Sequence, residues 1–338
     1  MRDTILYDSA MRLFGDHVTP KLLTAAEAGD WPAALWGEGE SAGYLDVLAE
    51  GPAGMVEAVT ILRAAGHHPA PIPLAETILA RWLCVACGLD APAGPLTVAP
   101  VEPGDRILLV GDTLTGRAGF VPWGREAAAL VLLAEGRVFV APRGEAGFEA
   151  DTNLAGEPRD HLQGVALDAT SVPLPNDIPA ELPFRLGALM RAAQMAGAME
   201  AALELSVRYA NDRVQFGRPI GKFQAIQQQL AVLAEEAAAA LVAVESAAIT
   251  VAAERPSAAI GVPAAKIRAG EAAGKVAEIA HQVHGAIGFT EEHSLHWLTR
   301  RLWSWRDEFG HEAYWALALA RHIAAADPDA LWPLITAP

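Results

Sequence analysis

Residues Arg208–Leu230 read RYANDRVQFGRPIGKFQAIQQQL. An amphipathic helix runs into Asp212-Arg213, then the chain opens into Phe216-Gly217 and a turn at Arg218-Pro219-Ile220-Gly221. A second amphipathic helix starts near Phe223-Gln224. Arg213 and Phe216 therefore fall at a helix–helix corner, where a guanidinium suits a phosphate and an aromatic face suits a flat base. The same residues have a plainer use, with Arg213 capping the last carbonyls of its helix and Phe216 packed as core. Local chemistry leaves both open.

Outward from this corner, the C-terminal half reads as long helices. Leu186 to Asp212 carries small residues on its inner face (Gly187, Ala193, Gly197, Ala201), which let helices approach closely in a bundle. Phe223 to Glu254 has an apolar stripe of Ile226, Leu230, Leu233, Leu241 and Val244, and further helices are expected over Val262 to Val283 and from Glu291 onward. Between about Asp90 and Pro175 the composition changes to short valine- and leucine-rich runs such as Arg106 to Val110, Leu130 to Leu133 and Arg137 to Val140. Gly111-Asp112 and Glu135-Gly136 punctuate them, so a small antiparallel β domain is expected. Val172-Pro173-Leu174-Pro175-Asn176-Asp177 reads as a linker. The first 89 residues are helical in pattern, with Thr19-Pro20 as an N-cap followed by proline at the first helical position. The expected domains are 1–89, helical; 90–177, β; and 178–338, a helical bundle.

Bulk properties narrow the partners. The 338 residues are 52% hydrophobic but only 7% aromatic, because alanine is abundant; no stretch approaches about 20 consecutive strongly apolar residues, so no membrane span is expected. Asp3, Asp8 and Asp16 interrupt the N-terminus where a secretory signal needs an unbroken apolar core, which points to a cytoplasmic protein. A net charge of −16 argues against nucleic acid and anionic membranes, though not against an anionic cofactor held by a few arginines. The two cysteines, Cys84 and Cys87, have no second pair to complete a zinc site and are expected as buried helical thiols.

A second motif, His281-Gln282-Val283-His284-Gly285-Ala286-Ile287-Gly288-Phe289-Thr290, ends one helix and turns into the next. Gly285 and Gly288 give backbone freedom, and bare amides in such a turn are donors for phosphate oxygens. His281 and His284, with Glu291, Glu292, His293 and His296 beyond, do not match a metallohydrolase spacing, and no metal is expected.

The string from Arg208 closely resembles the flavin-binding signature of the acyl-CoA dehydrogenase family, and the order of parts resembles that family over nearly the whole chain. The resemblance implies a mainly α fold: an N-terminal helical domain, a small barrel-like β domain and a C-terminal four-helix bundle. It implies FAD as cofactor and α,β-dehydrogenation of an acyl-CoA thioester, with an electron-transfer flavoprotein as acceptor. Arg213 and Phe216 would touch the FAD of a neighbouring subunit, joined by Gln224. Gln282, His284, Gly285 and Ala286 stand in the family's Q-x-x-G-G-x-G-type string, with alanine replacing its second paired glycine; His284 either faces the cofactor or satisfies a backbone carbonyl.

The same resemblance exposes two departures. The family's base, a glutamate before a glycine, falls at Phe309, and Glu308 lies one residue early; a one-residue slip turns a helical side chain by about 100°. The alternative base position of some relatives falls near Gly187. The family's T-E-x-x-x-G-S-D string corresponds to the shortened Leu96 to Asp105, which keeps only echoes at Thr97, Glu102 and Asp105. Both losses lie in one functional unit. They resemble the smaller chain of heteromeric bacterial dehydrogenases that degrade steroid side chains, a heterotetramer with another such subunit. Two rival expectations stand beside it: a self-sufficient homodimer or homotetramer using Glu308, or else Asp307 or Glu312, as base, and a non-catalytic scaffold that has lost FAD.

Overall fold

The computed structural model describes residues 4–102, 104–110, 113–166, 170–325, 329 and 331–336. Gly111, Asp112 and Asp3, named above, lie outside them, as does Pro103 within the Leu96 to Asp105 string. The chain opens with five helices: α1 (Thr4–His17), α2 (Pro20–Glu27), α3 (Ala33–Ser41), α4 (Met55–His67) and α5 (Leu74–Ala86). Thr19 caps α2 as expected, its hydroxyl accepting from Leu22 N at 3.2 Å with Pro20 in the first turn. Cys84 is a free thiol buried in α5 as expected, and burial pushes it up to about 11, whereas Cys87 departs from the expectation: it is a half-buried free thiol at the C-cap, just past the helix.

Eight strands follow: β1 (Leu96–Ala99), β2 (Arg106–Val110), β3 (Thr113–Pro122), β4 (Ala129–Ala134), β5 (Arg137–Pro142), β6 (Ala146–Glu149), β7 (Arg159–Ala166) and β8 (Thr170–Pro173). They form two four-stranded sheets, ordered β1-β4-β5-β8 and β2-β3-β7-β6. Ile107, Val121, Leu130, Leu132, Phe139 and Leu162 from both sheets share one apolar cluster. The expectation of a purely antiparallel domain needs correction, because β1 pairs parallel with β4. The β2–β3 excursion lies between them and returns the chain in the same direction, a connection too long for a hairpin. The proline-rich linker also begins later than expected: Val172 and Pro173 belong to the edge strand β8, where proline costs no ladder bond.

The rest is helical: α6 (Leu182–Asp212), a two-strand hairpin β9 (Val214–Gln215) and β10 (Arg218–Pro219), then α7 (Gln224–Ala252), α8 (Ala258–His284), α9 (Leu295–Asp307), α10 (Glu312–Ala324) and α11 (Leu331–Thr336). The run expected from Glu291 onward is thus broken between Asp307 and Glu312. Phe309 and Gly310 both take positive φ there, 54° and 88°, which no helix accommodates. Among the described residues no helix is long and apolar enough to cross a membrane.

The N-terminal helices dock on the bundle through a backbone contact. A Cβ on Gly197 of α6 would lie 1.9 Å from Arg63 O of α4, and one on Gly66 of α4 would lie 2.0 Å from Gln194 O. Close to this crossing, Arg63 donates from Nε and Nη2 to the two Glu200 oxygens, each at 2.5 Å. Met190, Met195 and Met199 are fully buried on α6. Gly197→Ala is expected to lower unfolding free energy by about 2 kcal/mol or more, since backbone rather than a yielding side chain must move. Gly37→Ala on α3, where a Cβ meets nothing within 4 Å, should instead stabilise by roughly 0.5–1 kcal/mol. Urea titration of the two variants checks this, and equal midpoints would remove the backbone contact from the account.

Candidate functional site

The corner at the end of α6 is built by a two-residue turn. Gln215 pairs with Arg218, leaving Phe216 and Gly217 between them at φ 52° and 80°, as a type I′ hairpin turn requires. A phenylalanine in the left-handed region is strained by about 1–2 kcal/mol relative to glycine. Nothing is recovered by burial, because Phe216 is 91% exposed. An aromatic ring held outward at a cost to the backbone is not core, so that plainer use of Phe216 is overturned.

Arg213 fares the same way. Its backbone N–H donates to Tyr209 O at 2.8 Å and its carbonyl accepts from Ile220 N at 2.8 Å, so the backbone is tied while the side chain is exposed. Among the described residues its guanidinium has no hydrogen-bond or ion-pair partner and caps no carbonyl. Gln224 is exposed in the first turn of α7. Arg218 lies 4.3 Å over the Phe223 ring, which in turn meets Phe216 edge-on at 6.1 Å. Arg218 and Phe223 thus brace the hairpin, a role not seen from the sequence.

The second motif lies beside the first. Tyr209, four residues before Arg213, stacks on His284 with centroids 4.6 Å apart. This contact joins the end of α6 to the end of α8 and is signalled in the sequence only by an aromatic residue inside the first motif. Gly285 takes φ 65° and has open space at its Cβ position; Ala286 beside it keeps negative φ, so the missing second glycine costs nothing. Gln282, Gly285 and Ala286 are exposed. Of the two uses expected for His284, the structure shows the backbone carbonyl: it is 3% exposed, Nδ1–H donates to Ala280 O at 2.7 Å, and its ring holds the turn from beneath. His281 is bound to Thr299 at 2.9 Å and stacks on Phe289 at 4.2 Å. Burial holds both imidazoles below the usual histidine range, hence neutral. The exposed set of Arg213, Phe216, Gln224, Gln282 and the Gly285-Ala286 backbone combines one free cation, an outward ring and polar donors, which fits the diphosphate and base of a dinucleotide.

At the opposite end of α6, the two places named for a catalytic base meet each other. A Cβ on Gly187 would lie 2.3 Å from the Phe309 ring, so Phe309 fills the space that a side chain at 187 would need. Phe184 packs on that ring at 5.9 Å, and Trp315 Nε1 donates to Phe309 O at 2.9 Å. Lys266, pushed down to about 8 by burial, donates to Arg306 O at 2.6 Å and Gly310 O at 2.8 Å and locks the turn. No carboxylate stands at either place.

Glu308, offered by the sequence as an alternative base, points the other way. Its oxygens accept from Arg159 Nε at 2.7 Å, Arg159 Nη2 at 3.2 Å and Arg191 Nη2 at 2.8 Å. Arg191 also pairs with Glu76, and Arg159 with Glu157, which accepts in addition from Arg301 Nε and Trp305 Nε1, each at 3.0 Å. Burial pushes Glu157 up, but Arg301 and Arg159 outweigh it and hold its carboxyl at about 2. Both Glu308 oxygens are thus taken by guanidiniums in the interior, and neither is free for a substrate proton. Of the other two carboxylates named, Asp307 is exposed and Glu312 accepts from Arg306 at 2.5 Å.

Glu102, in the shortened β-domain string, is half-buried and pushed up to about 7 by burial, with Glu308 and Asp105 adding to the effect. Thr97 donates to Pro122 O at 2.5 Å and Asp105 accepts from Gly119 N at 2.5 Å, so both echoes serve the β domain's own backbone.

Comparison with known proteins agrees with this architecture. Residues 180–323 match the acyl-CoA dehydrogenase C-terminal domain family. Over 306 residues the chain is 30% identical to the acyl-CoA dehydrogenase IpdE2 of Mycobacterium tuberculosis, covering 88% of this chain and 89% of that one. It is 32% identical over 276 residues to FadE27 of the same organism, covering 72% and 74%. Among solved structures, the Tcur3481-Tcur3483 steroid ACAD variant G363A superposes with a TM-score of 0.85 at 26% identity over 95% of this chain and 97% of that one. The ChsE4-ChsE5 complex from Mycobacterium tuberculosis gives 0.82 at 24% identity over 96% and 97%. The chain belongs to the acyl-CoA dehydrogenase family, whose members are oxidoreductases acting on acyl-CoA thioesters.

Proposed function

We propose that this chain is one subunit of a heteromeric, FAD-dependent acyl-CoA dehydrogenase, in which it supplies the grip on the cofactor's diphosphate and the partner subunit supplies the base. The single observation that carries this reading is the Phe309 ring seated on Gly187, which leaves both base positions of the family without a carboxylate. Bound FAD supplies a hydride acceptor for the thioester's β carbon. This chain's own work is binding. Arg213 neutralises a phosphate, Phe216 covers a ring, and the bare amides of Gly285 and Ala286 with Gln282 and Gln224 complete the hydrogen bonding. A corner whose guanidinium has no partner among the described residues is suited to a ligand seated mostly in another chain.

The likeness to a solved steroid ACAD pair and to a two-protein complex supports a polycyclic acyl-CoA as substrate and a heterotetramer as assembly. A self-sufficient enzyme with Glu308 as base is disfavoured by the two arginines on its oxygens. A scaffold without FAD is disfavoured by a strained, outward Phe216 that is 91% exposed and meets only the edge-on Phe223 ring among the described residues.

Purification tests the assembly. The chain alone should be colourless and inactive, and should become yellow and reduce a dye with an acyl-CoA when co-expressed with a second dehydrogenase-like chain. A yellow, active homomer would overturn the proposal, and a complex that stays colourless with every such partner would favour the scaffold. Within the yellow complex, Arg213→Ala should weaken FAD retention roughly 10- to 100-fold, the worth of one charge-assisted contact at about 1.5–3 kcal/mol. Ultrafiltration followed by absorbance at the flavin band reads this directly.

Glu308→Gln separates structure from catalysis. It should cost roughly 3 kcal/mol of stability by leaving Arg159 and Arg191 under-neutralised in the interior. Turnover of the folded complex should stay within a few-fold of wild type. An unchanged melting temperature with turnover down by several orders of magnitude would restore Glu308 as the base.

A further inference from the structure

A cavity of about 190 Å³ lies between the start of α2, the end of α4, the C-terminal third of α6 and the start of α9. It is remote from the Phe309 turn, since Gly187 and Ala201 are about 20 Å apart along α6 at 1.5 Å per residue. Its walls are Leu23, Leu205, Leu298 and Trp297, with the His67 and His68 rings beside them. Its rim carries Glu204 and, one helical turn later, the exposed Arg208.

The two rim charges differ in availability. Glu204 lies 3.3 Å from His67 Nε2. Arg208 stands four residues on, in reach of Glu204 by spacing, yet among the described residues its guanidinium has no partner. His68 brings no charge of its own, since burial pushes it down to about 4. The cavity is therefore ring-lined and mostly apolar along its walls, with His67 Nδ1 and His68 Nε2 buried and unpartnered and, among the described residues, a single uncommitted cation at its mouth. An apolar cavity of about 150 Å³ is enough to hold benzene, so this volume suits one aromatic ring with a small substituent. A guanidinium at the entrance selects a carboxylate as that substituent, by a bidentate pair.

We infer that this cavity is a binding site for a small aromatic monocarboxylate, its ring between Trp297 and the leucines and its carboxylate on Arg208. The site is separate from the flavin corner and does not depend on the assignment of that corner. A ligand here braces α4, α6 and α9 together, because it touches all three.

Benzoate and its neutral isostere benzamide test the inference on the full chain, in whatever assembly it purifies. Isothermal titration should give saturable binding of benzoate at one site per chain, about tenfold or more tighter than benzamide. Arg208→Ala, an exposed change that leaves the fold intact, should remove the preference and bring benzoate down to the benzamide level. Ala201→Phe, which fills the cavity from α6, should abolish binding of both. The inference fails if benzoate shows no saturable binding, if its affinity is indifferent to Arg208→Ala, or if binding survives in a folded Ala201→Phe protein.

Discussion

A buried chain of charges ties the three parts of this protein together. Glu76 on α5, Arg191 on α6, Glu308 after α9, Arg159 on β7, Glu157 just before β7 and Arg301 on α9 alternate in sign, three carboxylates against three guanidiniums. Each of these side chains is largely or wholly removed from solvent. Such a chain is tolerated because every charge has an opposite neighbour, and it is intolerant of losing any one of them, since the partner would be left charged in the interior. The N-terminal helices, the β domain and the bundle therefore have a fixed relation. That relation places the exposed corner at one end of α6 and the Phe309 turn at the other.

Those two ends have been treated differently by the sequence. At the corner, Arg213 is held outward without a partner among the described residues, and Phe216 is strained to stay there with only the Phe223 ring beside it. At the Phe309 turn the buried polar groups are engaged: Lys266 on two carbonyls, Trp315 on a third, Glu308 on two arginines. An outward-facing polar surface beside a turn whose carboxylate is committed to arginines is the pattern expected of a subunit that completes a site belonging partly to another chain. A self-contained active site would need an uncommitted carboxylate inside, and neither family position holds one.

The corner was legible in the sequence because its residues are nearly contiguous, from Tyr209 to Gln224, and because arginine, phenylalanine and glycine each have a narrow range of uses in a turn. The cap at Thr19 and the small-residue face of α6 were legible for the same reason. What escaped reading is non-local. Glu76, Glu157, Arg159, Arg191, Arg301 and Glu308 look one by one like ordinary charges, and only the fold brings them together. The parallel β1–β4 pair also depends on a return path of some thirty residues. The string around His284 leaves a cofactor contact and a backbone carbonyl both open, and only its helical position, turned inward onto Tyr209, decides for the carbonyl. The sequence distance from Gly187 to Phe309 concealed that the two absent base positions are one place.

The most direct test of the shared-site account is a map of the flavin-loaded complex at side-chain detail. The expected result is the Arg213 guanidinium about 3 Å from a diphosphate oxygen of an FAD whose ring lies in the partner subunit, with Phe216 covering the cofactor and Phe309 still seated on Gly187. A map in which Arg213 and Phe216 face bulk solvent, or in which an acyl-CoA lies beside this chain's own Glu308, would contradict it.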